Sequence, residues 1–194
     1  MSFKVKDYYF KKAKQENYYA RSIYKLEEIN LKYKVLKKND KILDLGYHPG
    51  SWTQYASKFG SYVVGIDIKP INQALQSINN VQLYQADAFN IQELKDLGVN
   101  EKFDVVLSDM APNTTGIKDV DQQRSLDLVE KVFSILSDLL NLDGNLVIKI
   151  FDSNEAQEFI KSMKDRFIEI KKLKPKSTRS ISKEFFLIGK GFKG

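Results

Sequence analysis

An α/β fold, with a mostly parallel sheet and helices on both faces, is predicted by three features of this 194-residue chain. Short apolar runs alternate with stretches of helical periodicity, the pattern of a parallel sheet joined by crossover helices. The runs Phe103-Asp104-Val105-Val106-Leu107-Ser108-Asp109 and Asn145-Leu146-Val147-Ile148-Lys149-Ile150 are apolar enough for strands buried on both sides. The first run, Lys41-Ile42-Leu43-Asp44-Leu45, leads into a Gly/Pro loop over 46–50. In doubly wound sheets that turn is where a nucleotide-like ligand docks.

The elements follow in order. An amphipathic helix is expected over 9–30, with Tyr19, Ile23, Leu26 and Ile29 on one apolar arc and Lys14, Arg21 and Lys25 beside it. After the strand at 41–45 comes a helix from about Ser51, then strands over 62–67, 81–84 and 103–109. A long helix over about 121–141 precedes the strand at 145–150, and a helix near 154–166 precedes two strands near 167–173 and 184–189. The loop from Lys174 to Lys183 has no helical pattern, so the last strand is expected to return antiparallel. No internal repeat and no linker breaks the chain. One domain over 1–194 is expected, with a leading basic helix in 1–30 packed on the functional edge of the sheet.

Composition narrows the function. There are no cysteines and one histidine, His48, so neither disulfides nor a thiolate or imidazole metal site is expected. No apolar run approaches membrane-spanning length, and residues 1–7 lack the apolar core of a secretory signal. An intracellular protein with no membrane partner is expected, in a mitochondrion or in the cytoplasm or nucleolus. The net charge is +6; residues 1–25 carry +5 and residues 171–194 carry +7, which leaves −6 for the middle. Basic ends around an acidic middle suggest a polyanion partner, nucleic acid above all.

The segment Asp44-Leu45-Gly46-Tyr47-His48-Pro49-Gly50-Ser51-Trp52 spaces its glycines as G-x-x-x-G, not as the G-x-G-x-x-G of a pyrophosphate binder. Tyr47, His48 and Pro49 crowd the path a pyrophosphate would take, which disfavours NAD. S-adenosylmethionine has no phosphate and needs no such cradle. Asp67 ends the second strand, 21 residues beyond Gly46, where a carboxylate can accept both hydroxyls of an adenosine ribose. Asp87 follows the third strand and can accept from an adenine amino group. Either acid can equally serve as a helix cap.

Four charged residues stand out at the same predicted edge. Asp109 ends the fourth strand and Lys149 lies near the end of the fifth, where open α/β sheets bind ligands. Glu184 begins the last strand, and Lys25 sits on the leading helix. A lysine in a buried strand needs a partner, and a structural ion pair of Lys149 with Glu184 or Asp109 is the plain alternative to a catalytic role. As a set, the four suit an in-line displacement in which a ribose 2′-oxygen attacks the methyl of a sulfonium. Lys149 would act as base, with Lys25 and Glu184 as orienters, and Asp109 would also hold the cofactor's amino group.

These segments resemble the FtsJ/RrmJ family of RNA ribose 2′-O-methyltransferases. Ala20-Arg21-Ser22-Ile23-Tyr24-Lys25-Leu26 is similar to its leading motif, Asp44 through Trp52 to its cofactor loop, and Ser108-Asp109-Met110-Ala111-Pro112-Asn113 to its fourth-strand motif. Val147-Ile148-Lys149-Ile150-Phe151 and Ser180-Ile181-Ser182-Lys183-Glu184 resemble the segments bearing a second lysine and a glutamate. The resemblance implies a Rossmann-like S-adenosylmethionine-dependent sheet, with one antiparallel strand. It implies a catalytic set at Lys25, Asp109, Lys149 and Glu184. Cofactor contacts are expected among Gly46, Pro49, Gly50, Ser51, Trp52, Asp67, Asp87 and Asp109. Tyr47-His48 replaces a commoner Ala-Ala; the tyrosine looks like the mitochondrial ribosomal RNA branch, and His48 is expected only to fill space in its loop.

RNA is the expected partner, within a ribosomal particle, bound by a monomer. Phosphate contacts are expected from Lys11, Lys12, Lys14 and Arg21 on the leading helix and from Lys174, Lys176, Arg179 and Lys183 before Glu184. Tyr8, Tyr9, Phe10, Tyr18 and Tyr24 offer aromatic surface for stacking, and Tyr19 is expected in the core. The expected substrate is a uridine of large-subunit ribosomal RNA. A transfer RNA anticodon loop, an assembly factor without turnover and a small-molecule methyltransferase remain the alternatives.

Overall fold

A computed structural model describes residues 8–194. The leading segment is not one helix. It forms α1 (Tyr8–Gln15) and α2 (Ile23–Tyr33), separated by a turn. Asn17 turns the chain in the left-handed region at φ 58°, which asparagine tolerates better than most residues. The Tyr18 N–H then reaches back to the Ala13 carbonyl at 2.8 Å. The break scatters the expected stripe: Lys14 lies on α1, Lys25 on α2 and Arg21 between them. It also moves Tyr19 out of the apolar arc and leaves it 41% exposed, against the expectation of a core residue. Ile23, Leu26 and Ile29 keep their places on the buried side of α2.

The remaining elements are β1 (Lys41–Leu45), α3 (Ser51–Ala56), β2 (Tyr62–Asp67), α4 (Gln73–Gln76), β3 (Val81–Gln85), β4 (Phe103–Ser108), α5 (Lys118–Leu139), β5 (Leu140–Phe151), α6 (Asn154–Ser162), β6 (Phe167–Leu173) and β7 (Glu184–Phe192). Three differ from the sequence reading. The single turn α4 escapes periodicity because it is too short to repeat an apolar position; Asn72 caps it by accepting the Ala74 N–H at 3.2 Å. α5 begins earlier than expected, where Asp121 accepts the Thr115 and Gly116 N–H groups at 2.7 and 3.1 Å. α5 also runs straight into β5 at Leu140, so the fifth strand is longer than its apolar run.

The seven strands form one sheet in the order β3-β2-β1-β4-β5-β7-β6. β1 pairs in parallel with β2 and β4, β2 with β3, and β4 with β5. β7 pairs antiparallel with both β5 and β6 and is the strand that runs against the rest. Each face of the sheet carries its own core. One gathers Val129, Val132, Phe133 and Leu136 of α5 against Leu43, Val106 and Ile148. The other gathers Ile23, Leu26 and Ile29 of α2 and Trp52 of α3 against Ile42, Val105, Val147 and Phe186. Successive strand residues alternate between faces. Leu146, Ile148 and Ile150 therefore serve the α5 side, and Val147 serves the α2 side. Lys149, next in the alternation, points its side chain toward α2.

Candidate active site

The parallel strands deliver their C-terminal ends to one edge. Leu45 pairs with Ser108, and Ser108 with Ile148. Asp109 and Lys149 each lie one residue beyond that rung, so register alone makes them neighbours. Lys149 Nζ donates to Asp109 Oδ1 at 2.9 Å and to the Asp109 carbonyl at 2.5 Å. Lys149 is 7% exposed, and a cation so enclosed requires these acceptors. Glu184 pairs with Phe151 across β5 and β7; because β7 is antiparallel, its first residue lies where β5 ends. Lys25 reaches down from α2 and donates to Glu184 Oε1.

Phe186 is the centre of the group. It pairs with Lys149 across the strands and lies two residues from Glu184, so the three side chains share one face. Lys25 Nζ stands 5.5 Å from the Phe186 ring centroid, within range of a cation–π attraction. The four expected residues thus form two ion pairs whose lysines both neighbour one aromatic ring. Each amine has its own carboxylate.

Beside them opens a cavity of about 480 Å³ walled by Gly46, His48, Asp67, Asp87 and Asp109 among others. Asp109 belongs both to this cavity and to the Lys149 pair. Gly46 has φ 76°, and a Cβ there would sit 2.4 Å from Met110 Cγ. That position needs glycine on both counts. Asp67 accepts the His48 N–H at 3.0 Å and the Lys69 N–H at 2.9 Å, one on each oxygen. Both oxygens keep lone pairs for a ligand. Asp87 also caps the short turn 88–90 through the Phe89 N–H at 2.9 Å, so the capping reading and the binding position coexist.

Pro49, Gly50, Ser51 and Trp52 do not wall the cavity. Gly50 turns at φ 116° into α3 and lets Leu75 pack within 2.0 Å of where a Cβ would be. Ser51 Oγ shares a hydrogen bond with Ser22 Oγ at 2.8 Å, and Trp52 Nε1 donates to the Ser22 carbonyl at 2.8 Å. The Trp52 ring lies 5.5 Å from that of Phe186. Their side chains therefore lock the start of α2, and with it Lys25, onto the cofactor loop.

Sequence reasoning missed several walls. Ile68 and Phe89 are 62% and 48% exposed at the cavity and present apolar surface suited to the faces of a flat base. The signal was available: each is a large apolar residue one or two positions after an acidic one that ends or follows a strand. Asp44 is fully buried behind the loop, accepts the Thr53 hydroxyl on Oδ2 at 2.7 Å and has no partner for Oδ1. Burial pushes its carboxyl up to about 7, with the nearby Asp109 and Asp67 adding to the rise. Its signal was an acid inside an apolar strand.

The lining fits S-adenosylmethionine. Carboxylates at Asp67 and Asp87 match the hydroxyl and amino donors of adenosine, and Asp109 matches a cationic amino acid end. A pyrophosphate would meet these same carboxylates as repulsion.

An FtsJ-like methyltransferase family model matches residues 18–192. The chain belongs to the FtsJ-like methyltransferase family. Relatives agree over nearly their full lengths. A ribosomal RNA large subunit methyltransferase E from Bdellovibrio bacteriovorus is 44% identical, covering 97% of this chain and 98% of its own. A protein of the same name from Methanothermobacter thermautotrophicus is 41% identical, covering 97% and 91%. A Plasmodium falciparum crystal structure described as a ribosomal RNA methyltransferase is 30% identical, with a TM-score of 0.79 over 91% of this chain and 100% of that one. A Streptococcus mutans protein solved with SAH is 18% identical with a TM-score of 0.56 over 82% and 90%, and shares the fold. The chain is a methyltransferase, and its methyl donor is S-adenosylmethionine. When bound, that cofactor supplies an activated methyl group on sulfur.

The basic residues ring this methyltransferase site unevenly. Lys11 and Lys14 are exposed on α1, and Lys176, Arg179 and Lys183 are exposed on the loop before β7. Lys12 is drawn inward, 4.4 Å above the Tyr24 ring and 3.8 Å from Glu16. Lys174 donates to the Ser182 carbonyl at 2.6 Å, and Arg21 donates to the Ser177 carbonyl. These bonds brace the loop. Burial and the neighbouring Arg179 pull Arg21 below its ordinary pKa, with Glu184 opposing. A second cavity of about 360 Å³ lies between Arg21, Lys25, Arg179 and Glu184. Tyr9, Tyr18 and Tyr24 pack together at 5.5 and 6.4 Å and form structure, whereas Tyr8 and Phe10 are 70% and 47% exposed.

Proposed function

We propose that this methyltransferase transfers the methyl of S-adenosylmethionine to a ribose 2′-hydroxyl of large-subunit ribosomal RNA, at a uridine. The observation that carries the reading is the pairing of Lys149 with Asp109, which walls the cofactor cavity, and of Lys25 with Glu184, with Phe186 neighbouring both lysines. Lys149 accepts the proton of the attacking hydroxyl as a neutral amine, and Asp109 stabilises the ammonium so formed. Lys25 and Glu184 orient the ribose. Asp67 and Asp87 hold the adenosine, and positioning of oxygen and methyl in line supplies much of the rate.

The names of the relatives support ribosomal RNA as the substrate class. The exposed lysines of α1 and of the loop before β7, with Arg21 and Arg179 between them, are the phosphate contacts that seat the RNA. Recognition takes place on a ribosomal particle inside the cell. The protein works as a monomer: the outer strand β6 carries Glu169, Lys171 and Lys172, charges that discourage edge-to-edge pairing.

The test is methylation of purified large subunits and of transfer RNA, with the modified nucleotide mapped. A 2′-O-methyl uridine in the large-subunit RNA is the expected product. Modification of transfer RNA alone would overturn the substrate. A Lys149→Ala protein that retains turnover would overturn the assignment of the base.

A further inference from the structure

The cofactor loop sends two adjacent side chains to opposite sides. Tyr47 goes beneath it, 2% exposed and clustered with Leu75 and Leu83. A Cβ on Gly65 would lie 3.1 Å from the Tyr47 ring, and the Tyr47 hydroxyl accepts the Asn72 N–H at 3.3 Å. Tyr47 is thus a wedge. His48, one residue on, lines the cofactor cavity.

The backbone that carries His48 is pinned at three points. Gly46 N–H donates to the Ile66 carbonyl at 2.8 Å, His48 N–H to Asp67 Oδ2 at 3.0 Å, and the Asn72 side chain to the Pro49 carbonyl at 2.8 Å. His48 and Asp67 are thereby held together on the wall of one cavity. Its Nδ1 is enclosed and has no hydrogen-bond partner. An enclosed polar atom left unpaired costs roughly 1–3 kcal/mol. A half-turn about Cβ–Cγ exchanges the Nδ1 and Cδ2 edges without changing the ring's outline, so that nitrogen can be handed to a ligand in the cavity.

We propose that His48 is a cofactor-binding residue whose imidazole hydrogen-bonds a ribose hydroxyl of the adenosine that Asp67 holds. A hydroxyl offers one donor and two acceptor positions, and a carboxylate only accepts. The ribose O–H goes to Asp67, and its oxygen is left free to accept an imidazole N–H. His48 and Asp67 then grip one diol from both sides of its polarity, and the hydrogen bond between the His48 backbone and Asp67 fixes their spacing. A residue that merely fills the loop would have no preference among ribose patterns. The assignment rests on S-adenosylmethionine as cofactor and not on the RNA target, so its test omits RNA.

The test uses the untagged full chain, where His48 is the single histidine and yields one set of imidazole resonances. Saturation with S-adenosylhomocysteine is expected to shift that set; an unmoved signal would overturn the proposal whether or not any variant folds. By calorimetry, His48→Ala is expected to bind S-adenosylhomocysteine about tenfold more weakly, the loss of one hydrogen bond with a partner left unpaired. His48→Asn, which keeps an N–H near the Nδ1 position, is expected to recover most of that loss. Adenosine, 2′-deoxyadenosine and 3′-deoxyadenosine complete a cycle. Removing the gripped hydroxyl should cost the wild-type chain more affinity than it costs His48→Ala, in which only the bond to Asp67 remains to be lost. Equal losses in both proteins for both analogues, or unchanged affinity in His48→Ala, would reject the contact.

Discussion

The two ion pairs of the active site are built by different means. Lys149–Asp109 joins the ends of neighbouring parallel strands, and one rung of register puts the partners in reach. Lys25–Glu184 joins a helix to a strand 159 residues away in sequence, and nothing but the docking of α2 brings it about. In the first pair Lys149 is the most enclosed of the four side chains, whereas Asp109, 17% exposed, opens on the cofactor cavity. The second stands at the rim of the sheet, with both side chains 13% exposed and Arg21 and Arg179 alongside. On the proposed reading the difference is a division of labour: the sheet would place the base against the cofactor cavity, and the docked helix would add the group that receives RNA.

Lys149→Ala should sharpen that division most. Loss of a positioned base predicts about a 10²–10⁴-fold fall in methyl transfer, with S-adenosylhomocysteine affinity nearly unchanged. Lys25→Ala should cost less, on the order of tenfold in kcat/KM, because orientation is lost and the base remains. If Lys25→Ala proves the more damaging, the roles of the two pairs are reversed.

Trp52→Phe keeps an aromatic ring beside Phe186 and removes the bond to the Ser22 carbonyl. It should lower stability by about 1 kcal/mol in urea unfolding. The same variant should reduce activity while sparing cofactor affinity, since it loosens α2 and not the strand ends. Arg179→Ala should reduce the salt dependence of RNA binding, with a log–log slope about one unit shallower. An unchanged slope would remove Arg179 from the phosphate contacts.

Asp44 gives a pH signature that touches neither pair directly. Its carboxyl is raised from 3.8 to about 7 in the folded chain. The folded state then holds a proton that the unfolded chain has released, so this residue favours folding at low pH and the advantage is lost as pH rises through about 7. Asp44→Asn cannot titrate. The urea midpoint of the wild-type chain should therefore fall relative to Asp44→Asn between about pH 4 and 8. A difference that does not vary with pH would mean that Asp44 is charged throughout.

Residues tied to strand ends were legible in advance. An apolar run marks a strand, its last residues mark the sheet's edge, and Asp67, Asp87, Asp109 and Lys149 all lie at or just beyond such ends. Residues placed by packing were less legible. Periodicity joined α1 and α2 because apolar spacing persists across the turn at Asn17, and only its left-handed backbone parts them. Tyr19 was misread for that reason. Trp52 was read as a cofactor contact because it sits in the cofactor loop; that its indole bonds to Ser22 and packs near Phe186 was not legible, since the helical turn after Gly50 carries it there. Tyr47 and His48 were read together as crowding, although the loop sends them to opposite sides.

The amino-acid order by itself determined the alternation of strands and helices, the glycine loop, the chemistry of the four charged residues and the basic character of both ends. These are local properties of pattern and composition. Tertiary structure alone decided that Lys25 meets Glu184, that Phe186 neighbours both lysines, and that His48 rather than Tyr47 lines the cofactor cavity. Such meetings depend on which side chain a turn sends to which face. That choice is made by packing against residues distant in the chain, where no local pattern can record it.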